Sequence, residues 1–135
     1  MKILGHASSG LGWTALAAKT AQSQGVDLFS LGDNLLLKGS EYTAQYNLNY
    51  TVDYDPSWYR CEAVLVDGPW STISVEDRGI TNQRPVWDML YYEYVVKRGL
   101  QGRYTTEASQ AEGFEGRVYT NVDDLPSWGS LVFAY

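Results

Sequence analysis

Cysteine is almost absent: Cys61 is the single one in 135 residues, which excludes an internal disulfide framework and leaves the redox compartment open. Histidine is just as scarce. His6 is the one residue available to any mechanism that needs imidazole, although a lone histidine is more often structural than catalytic. With one histidine and one cysteine there is no HExxH, no cysteine pair and no ligand-spaced cluster, so no metal is expected. No GxSxG sets up a nucleophilic serine, and the glycines of "SSGLGW" lack the lysine and preceding strand of a phosphate-binding loop. Positive charge is also short. The net charge of −6 argues against a nucleic-acid partner, because phosphates demand a basic patch. It counts mildly against an acidic polymer too, unless Arg60, Arg78, Arg84, Lys97, Arg98 and Arg103 gather locally. No apolar run is long enough to cross a bilayer, and no charged leader with an apolar run precedes Gly5. The expectation is a leaderless soluble chain without membrane contact, with no repeat or linker, folding as one domain over residues 1–135.

Aromatic residues are what the sequence has in excess, with Trp 5 and Tyr 11. Their first role is core, and flat rings with one polar edge also suit stacking against sugars. At this length folding should bury about two thirds of the surface that the unfolded chain exposes, enough for a real core.

Periodicity predicts a mainly α protein. Ser8 or Ser9 is placed to cap a helix entered at Gly10 and running to Gln24, with Leu11, Ala15 and Ala18 on its apolar stripe. Gly25 supplies a left-handed stop and Val26 the following apolar position. Asp33 is placed to cap a second helix to about Asn47, with Leu35, Leu36, Tyr42 and Tyr46 at helical spacing. Gly39 inside that helix suggests a close crossing, since an interior glycine costs about 1 kcal/mol against alanine. Residues 48–83 read mostly as loop, with Tyr59 to Val66 open between a strand and a buried helical turn. Pro85 to Arg98 is bounded by an N-terminal proline and by Gly99, and Trp87, Leu90, Tyr91 and Tyr94 form its core stripe. Thr105 or Thr106 is placed to cap a last helix through about Glu112, and the closing "WGSLVFAY" is apolar enough to pack on the body. Asn49-Tyr50-Thr51 is an N-glycosylation sequon, relevant if the chain is secreted and that segment exposed.

Glycoside hydrolysis needs two facing carboxylates, and the spacing of Glu41, Glu62, Asp67, Glu76 and Asp77 singles out no pair. β-Elimination across a uronate needs a cation or donor for the carboxylate, a base for the C5 proton and an acid for the leaving oxygen. Tyrosine with histidine, asparagine and arginine supplies all three. Here Tyr42, Tyr46, Asn34 and Asn47 lie on the second helix, and Tyr59 stands beside Arg60 in the following loop. The bland alternative is that these tyrosines are core or loop anchors.

The run "GHASSGLGWTALAAKTAQSQGVDLFSLGDNLLLKGSEYTAQYNL" resembles the alginate lyase domain family in the order and spacing of its short motifs. The segments "YDPSWYRCEAVLVDGPW", "RPVWDMLYYEYVVKRGL" and "WGSLVF" resemble that family's final portion, so the likeness spans Gly5 to Phe133. It implies antiparallel helical hairpins forming part of an (α/α) toroid around a groove for an acidic polysaccharide such as alginate or glucuronan. It also implies cofactor-independent elimination, with His6, Tyr42 and Tyr46 as catalytic candidates and Asn34, Glu41, Asn47, Tyr59 and Arg60 as substrate-binding candidates. Family members are usually secreted or periplasmic. Two departures stand out. Lys2, Ile3 and Leu4 replace the usual lead-in before Gly5-His6, which suggests a start inside the family's domain. The length also holds too few hairpins for a whole toroid, so part of the family's site is expected to be missing. The expectation is therefore a lyase-like protein whose own turnover is open, against a non-catalytic carbohydrate-binding or oligomerising helical scaffold.

Overall fold

Gly25 takes a positive φ of 82° and ends the first helix where the sequence places the stop. The Gly25 N–H reaches the Gln22 carbonyl and the Val26 N–H reaches that of Ala21, both at 3.0 Å, which is the paired closure of a Schellman stop. In this computed structural model, residues 3–55, 57, 72, 73, 75, 78–80, 86–112 and 133 are described, with the backbone alone for 3–6 and 112. They are mainly helical, with no strand among them.

Helix α1 spans Ile3–Ser23, so it starts well before the expected entry at Gly10. Ser8 and Ser9 are buried inside it and are not caps. Two small side chains fit where a helix meets its neighbours, and nothing in the preceding residues forbids helical backbone. Ala15 and Ala18 are buried, and Leu11 and Leu16 pack against the core, as the periodicity requires.

Helix α2 spans Leu31–Asn47. Asp33 does not cap it. Gly32, Asp33 and Asn34 all adopt left-handed backbone, with φ of 61°, 56° and 58°, before regular helix begins. Glycine, asparagine and aspartate tolerate that region best, which explains why three such residues stand together. Asp27 instead closes the turn ahead of the helix, where its carboxylate accepts the Phe29 N–H at 3.1 Å and the Ser30 hydroxyl. The buried face also differs from the expected leucine and tyrosine stripe. Leu37, Ser40, Ala44, Tyr46 and Asn47 are buried, whereas Leu35 is 64% exposed and Tyr42 38%. Small and polar residues face inward because α2 packs against α4, where Ser40 and Thr105 share a hydroxyl hydrogen bond of 2.8 Å. Gly39 is not explained by a close crossing, since a Cβ there would meet nothing within 4 Å.

The helix expected over Pro85 to Arg98 is observed in two windings. Helix α3, Trp87–Leu90, runs directly into a π-helical stretch, Tyr91–Lys97. Val86, Trp87, Met89, Leu90 and Tyr94 are buried, and Gly99 closes the stretch with φ of 66°. Phe29 meets Tyr94 edge-on at 5.5 Å, and the Tyr94 hydroxyl donates to the Phe29 carbonyl at 2.8 Å. Burial pushes that phenol up to about 12.

The π-helical stretch itself carries a buried anion. Glu93 accepts hydrogen bonds from Gln22 at 2.7 Å and Arg98 at 2.8 Å, with Lys19 at 3.3 Å and Lys97 at 3.4 Å. Arg98 also grips Asp27 through both terminal nitrogens, at 2.7 and 3.0 Å. That bidentate pairing holds the Asp27 carboxyl far below the usual carboxylate range. One cluster thus ties α1, the α1–α2 connection and the π-helical stretch together.

Helix α4 spans Arg103–Glu112, starting before either threonine that could have capped it. Thr105 is buried and bonded to Ser40, while the Thr106 hydroxyl donates back to the Gly102 carbonyl. The free amides of its first turn are taken by Glu41 of α2. Of the closing segment only Phe133 is described, half-buried against the core. The segment Tyr59 to Val66 and the first position at Pro85 lie outside the described residues.

Candidate functional site

The end of α2 and the chain that follows it enclose an open cleft of about 400 Å³. Tyr46 and Asn49 reach it from the end of the helix, Tyr50 and Tyr54 from the next segment, and Ile73 and Arg78 from further along. Arg78 is its most specific feature. The guanidinium carbon lies 4.1 Å from the centre of the Tyr46 ring, Nε donates to the Tyr46 carbonyl at 2.6 Å, and one terminal nitrogen donates to the Tyr50 carbonyl at 2.7 Å. These bonds fix the planar fork over an aromatic face. Among the described residues no carboxylate pairs with it. Carbonyls and a ring hold the arginine in place.

The walls are built by local contacts. The backbone turns at Asn49, with φ of 71°, after the Asn49 N–H reaches the Tyr46 carbonyl at 3.1 Å. The Gln45 amide donates to the Thr51 carbonyl at 2.7 Å and folds the chain back along α2. Tyr50 then packs on Tyr104 at 5.2 Å and donates to the Glu107 carboxylate at 3.0 Å, so α4 braces the cleft from behind. Tyr42 lies beside the same segment, its hydroxyl donating to the Asp53 carbonyl at 2.7 Å. Burial raises its phenol above the ordinary value, with Asp53, Tyr54 and Tyr46 adding to the effect. Its hydroxyl serves here as a hydrogen-bond donor.

The expected site residues are not gathered in one place. Tyr46 lines this cleft and Tyr42 adjoins its wall. Asn47 is buried beneath it, its amide nitrogen donating to the Thr43 carbonyl and its oxygen accepting the Gly79 N–H at 3.3 Å. Asn34 and Glu41 line a different cleft of about 460 Å³ with Asp33, Lys38 and Gln101. Glu41 is committed there to the start of α4. His6 lies on α1, but its side chain falls outside the described set, as do Tyr59 and Arg60 entirely. Arg78, Tyr50, Tyr54 and Asn49 were not singled out for this site from the sequence. Arg78 sits 32 positions from Tyr46, and no periodicity links a loop residue to a helix end over that span.

No three histidine, cysteine, aspartate or glutamate side chains converge among the described residues as a metal would require. No helix among them is long and apolar enough to cross a membrane. Compared with known proteins, the chain matches no family model, no curated protein and no solved structure.

Proposed function

We propose that this chain is a polysaccharide lyase-like protein, part of an (α/α) toroid of antiparallel hairpins, that takes a uronate-containing polymer into the Tyr46–Arg78 cleft. The observation that carries this is the Arg78 guanidinium, pinned over the Tyr46 ring without a carboxylate partner among the described residues. A uronate presents both halves of the matching surface. Its ring stacks on tyrosine faces, and its carboxylate pairs with the fork of an arginine. The family resemblance of the α1 and α2 motifs supports the same substrate class.

In the elimination, Arg78 would pair with the uronate carboxylate and so stabilise the charge that develops when C5 loses its proton. Tyr46, which lines the cleft, is the candidate base for that proton. As the C4–O bond breaks and the C4–C5 double bond forms, the leaving oxygen takes a proton from an acid. Tyr42, whose hydroxyl adjoins the cleft wall, is the candidate acid, with His6 assisting as the resemblance implies. Incubating the pure protein with alginate and with glucuronan, and following the absorbance of the unsaturated product, tests this. A rise on either supports elimination, and none on both defeats it for these polymers.

Binding without turnover is the second reading. It is favoured by the engagement of Tyr42 with the Asp53 carbonyl and by the structural employment of Glu41 and Asn47. A carbohydrate array that shows retention of oligouronates without cleavage would decide for it. Self-association belongs with this reading, since Leu31 and Leu35 stand exposed along an apolar groove between α1 and α2. Light scattering distinguishes monomer from oligomer.

A further inference from the structure

We propose that Asn49 is an acceptor for N-linked glycan and that the glycan stands at the mouth of the Tyr46–Arg78 cleft, where it governs access of the acidic polymer. The cleft half of this inference rests on the function proposed above; the acceptor half does not. Asn49-Tyr50-Thr51 has the N-x-T pattern, and no other asparagine in the chain is followed two positions on by serine or threonine.

The fold presents this tripeptide as an acceptor requires. Asn49 and Thr51 are both exposed. Asn49 sits in a left-handed turn just beyond the end of α2, with φ of 71°. Its backbone N–H is taken by the Tyr46 carbonyl, whereas its carboxamide has no hydrogen-bond partner among the described residues. A glycan on that nitrogen would displace no hydrogen bond among the described residues. The intervening Tyr50 anchors the turn, with its hydroxyl on Glu107 and its ring on Tyr104. The acceptor is thus held on a fixed base while its neighbours stay accessible.

The covalent step is a group transfer. The side-chain amide nitrogen of Asn49 bonds to C1 of the first sugar of a lipid-pyrophosphate-linked oligosaccharide. The C1–O bond to the pyrophosphate breaks, the lipid pyrophosphate leaves with the electron pair, and the amide loses one proton to the transferase. Because Asn49 and Thr51 both line the cleft with Tyr46 and Arg78, the attached sugars begin on its rim. A hydrophilic chain rooted there competes sterically with an incoming polymer and leaves the charge of Arg78 untouched.

The test secretes the full chain from a eukaryotic cell behind a cleavable leader and measures its intact mass before and after peptide-N-glycosidase. The expected result is a heavier species that the enzyme converts to the bare chain with aspartate at position 49. Thr51→Ala and Asn49→Gln should each abolish the added mass, and Thr51→Ser should restore part of it. A secreted, folded wild-type chain of unmodified mass, beside a control sequon protein that is modified, overturns the acceptor assignment. Binding of an oligouronate to the glycosylated chain is then compared with binding to unmodified wild-type chain from a host without the transferase. The expected loss on glycosylation is about tenfold or more in Kd. Equal affinity of the two forms overturns the gating half. Absence of binding by both forms overturns the gating half together with the proposed function, and the mass measurement still decides the acceptor half.

Discussion

The carboxylate of Glu41, on α2, accepts the backbone N–H of Thr105 at the start of α4 at 2.7 Å and that of the preceding Tyr104 at 3.1 Å. A helix N-terminus has unsatisfied amides and a partial positive charge, and here a residue 64 positions away supplies the cap. Replacing Glu41 with alanine should therefore destabilise the fold by about 0.5–2 kcal/mol, the range of a lost N-cap. Glu41→Gln, which retains one acceptor oxygen, should lose about half of that. Urea unfolding followed by circular dichroism reads both. Equal stability of Glu41→Ala and wild type would show that the cap contributes nothing.

Gly39 lies within the regular part of α2 without a steric reason to be glycine, since an added Cβ meets no atom within 4 Å. Alanine there reduces the freedom of the unfolded chain and suits the helix. Gly39→Ala is expected to raise stability by about 0.5–1 kcal/mol. A lower melting temperature in the variant would contradict this and reveal a contact that the groove between α1 and α2 needs.

Glu93 should dominate the acid limb of stability. Burial alone pushes its carboxyl up, but Gln22, Arg98, Lys97 and Lys19 together outweigh burial and hold it below the ordinary value of 4.5. A depressed folded value means that the stabilisation is present above the unfolded value and disappears as pH falls through the folded one. Stability should thus decline below about pH 4.5, and Glu93→Gln should flatten that decline. At neutral pH, Glu93→Ala is expected to cost about 2–3 kcal/mol, less than the ~3–5 of a fully enclosed pair because Lys19 and Lys97 still reach water. Chemical unfolding at a series of pH values checks both statements, and parallel pH profiles for Glu93→Gln and wild type would remove Glu93 from the account.

What the sequence discloses depends on the range of the interaction that fixes each feature. Gly25 and Gly99 mark helix ends because a positive φ is a local demand that glycine meets best, and both stops are found where expected. The buried stripe of α1 follows from apolar spacing, another local property. The inward face of α2 does not, because Ser40 is buried against Thr105 of α4 and Asn47 is bonded to Gly79, and which segment will be the neighbour is absent from a window of residues. The cap of α4 misleads for the same reason: Thr105 is a good local cap, but Glu41 competes from across the fold and takes its amide. The π-helical winding of Tyr91–Lys97 leaves the same boundary glycine as an α-helix would, so the pattern that locates the end says nothing about the turn. At the candidate site, the tyrosines of α2 were legible as a set, whereas the arginine that distinguishes the cleft came from a loop without periodicity.

Calorimetric titration of the pure chain with a defined oligouronate, beside the Arg78→Ala variant shown by circular dichroism to be folded, decides whether Arg78 holds a uronate carboxylate. The wild-type chain should bind saturably, with an affinity that weakens with added salt and falls about tenfold or more in Arg78→Ala, as loss of a charge-assisted pair implies. Binding that is unchanged in the folded variant, or no binding by the wild-type chain, would contradict it.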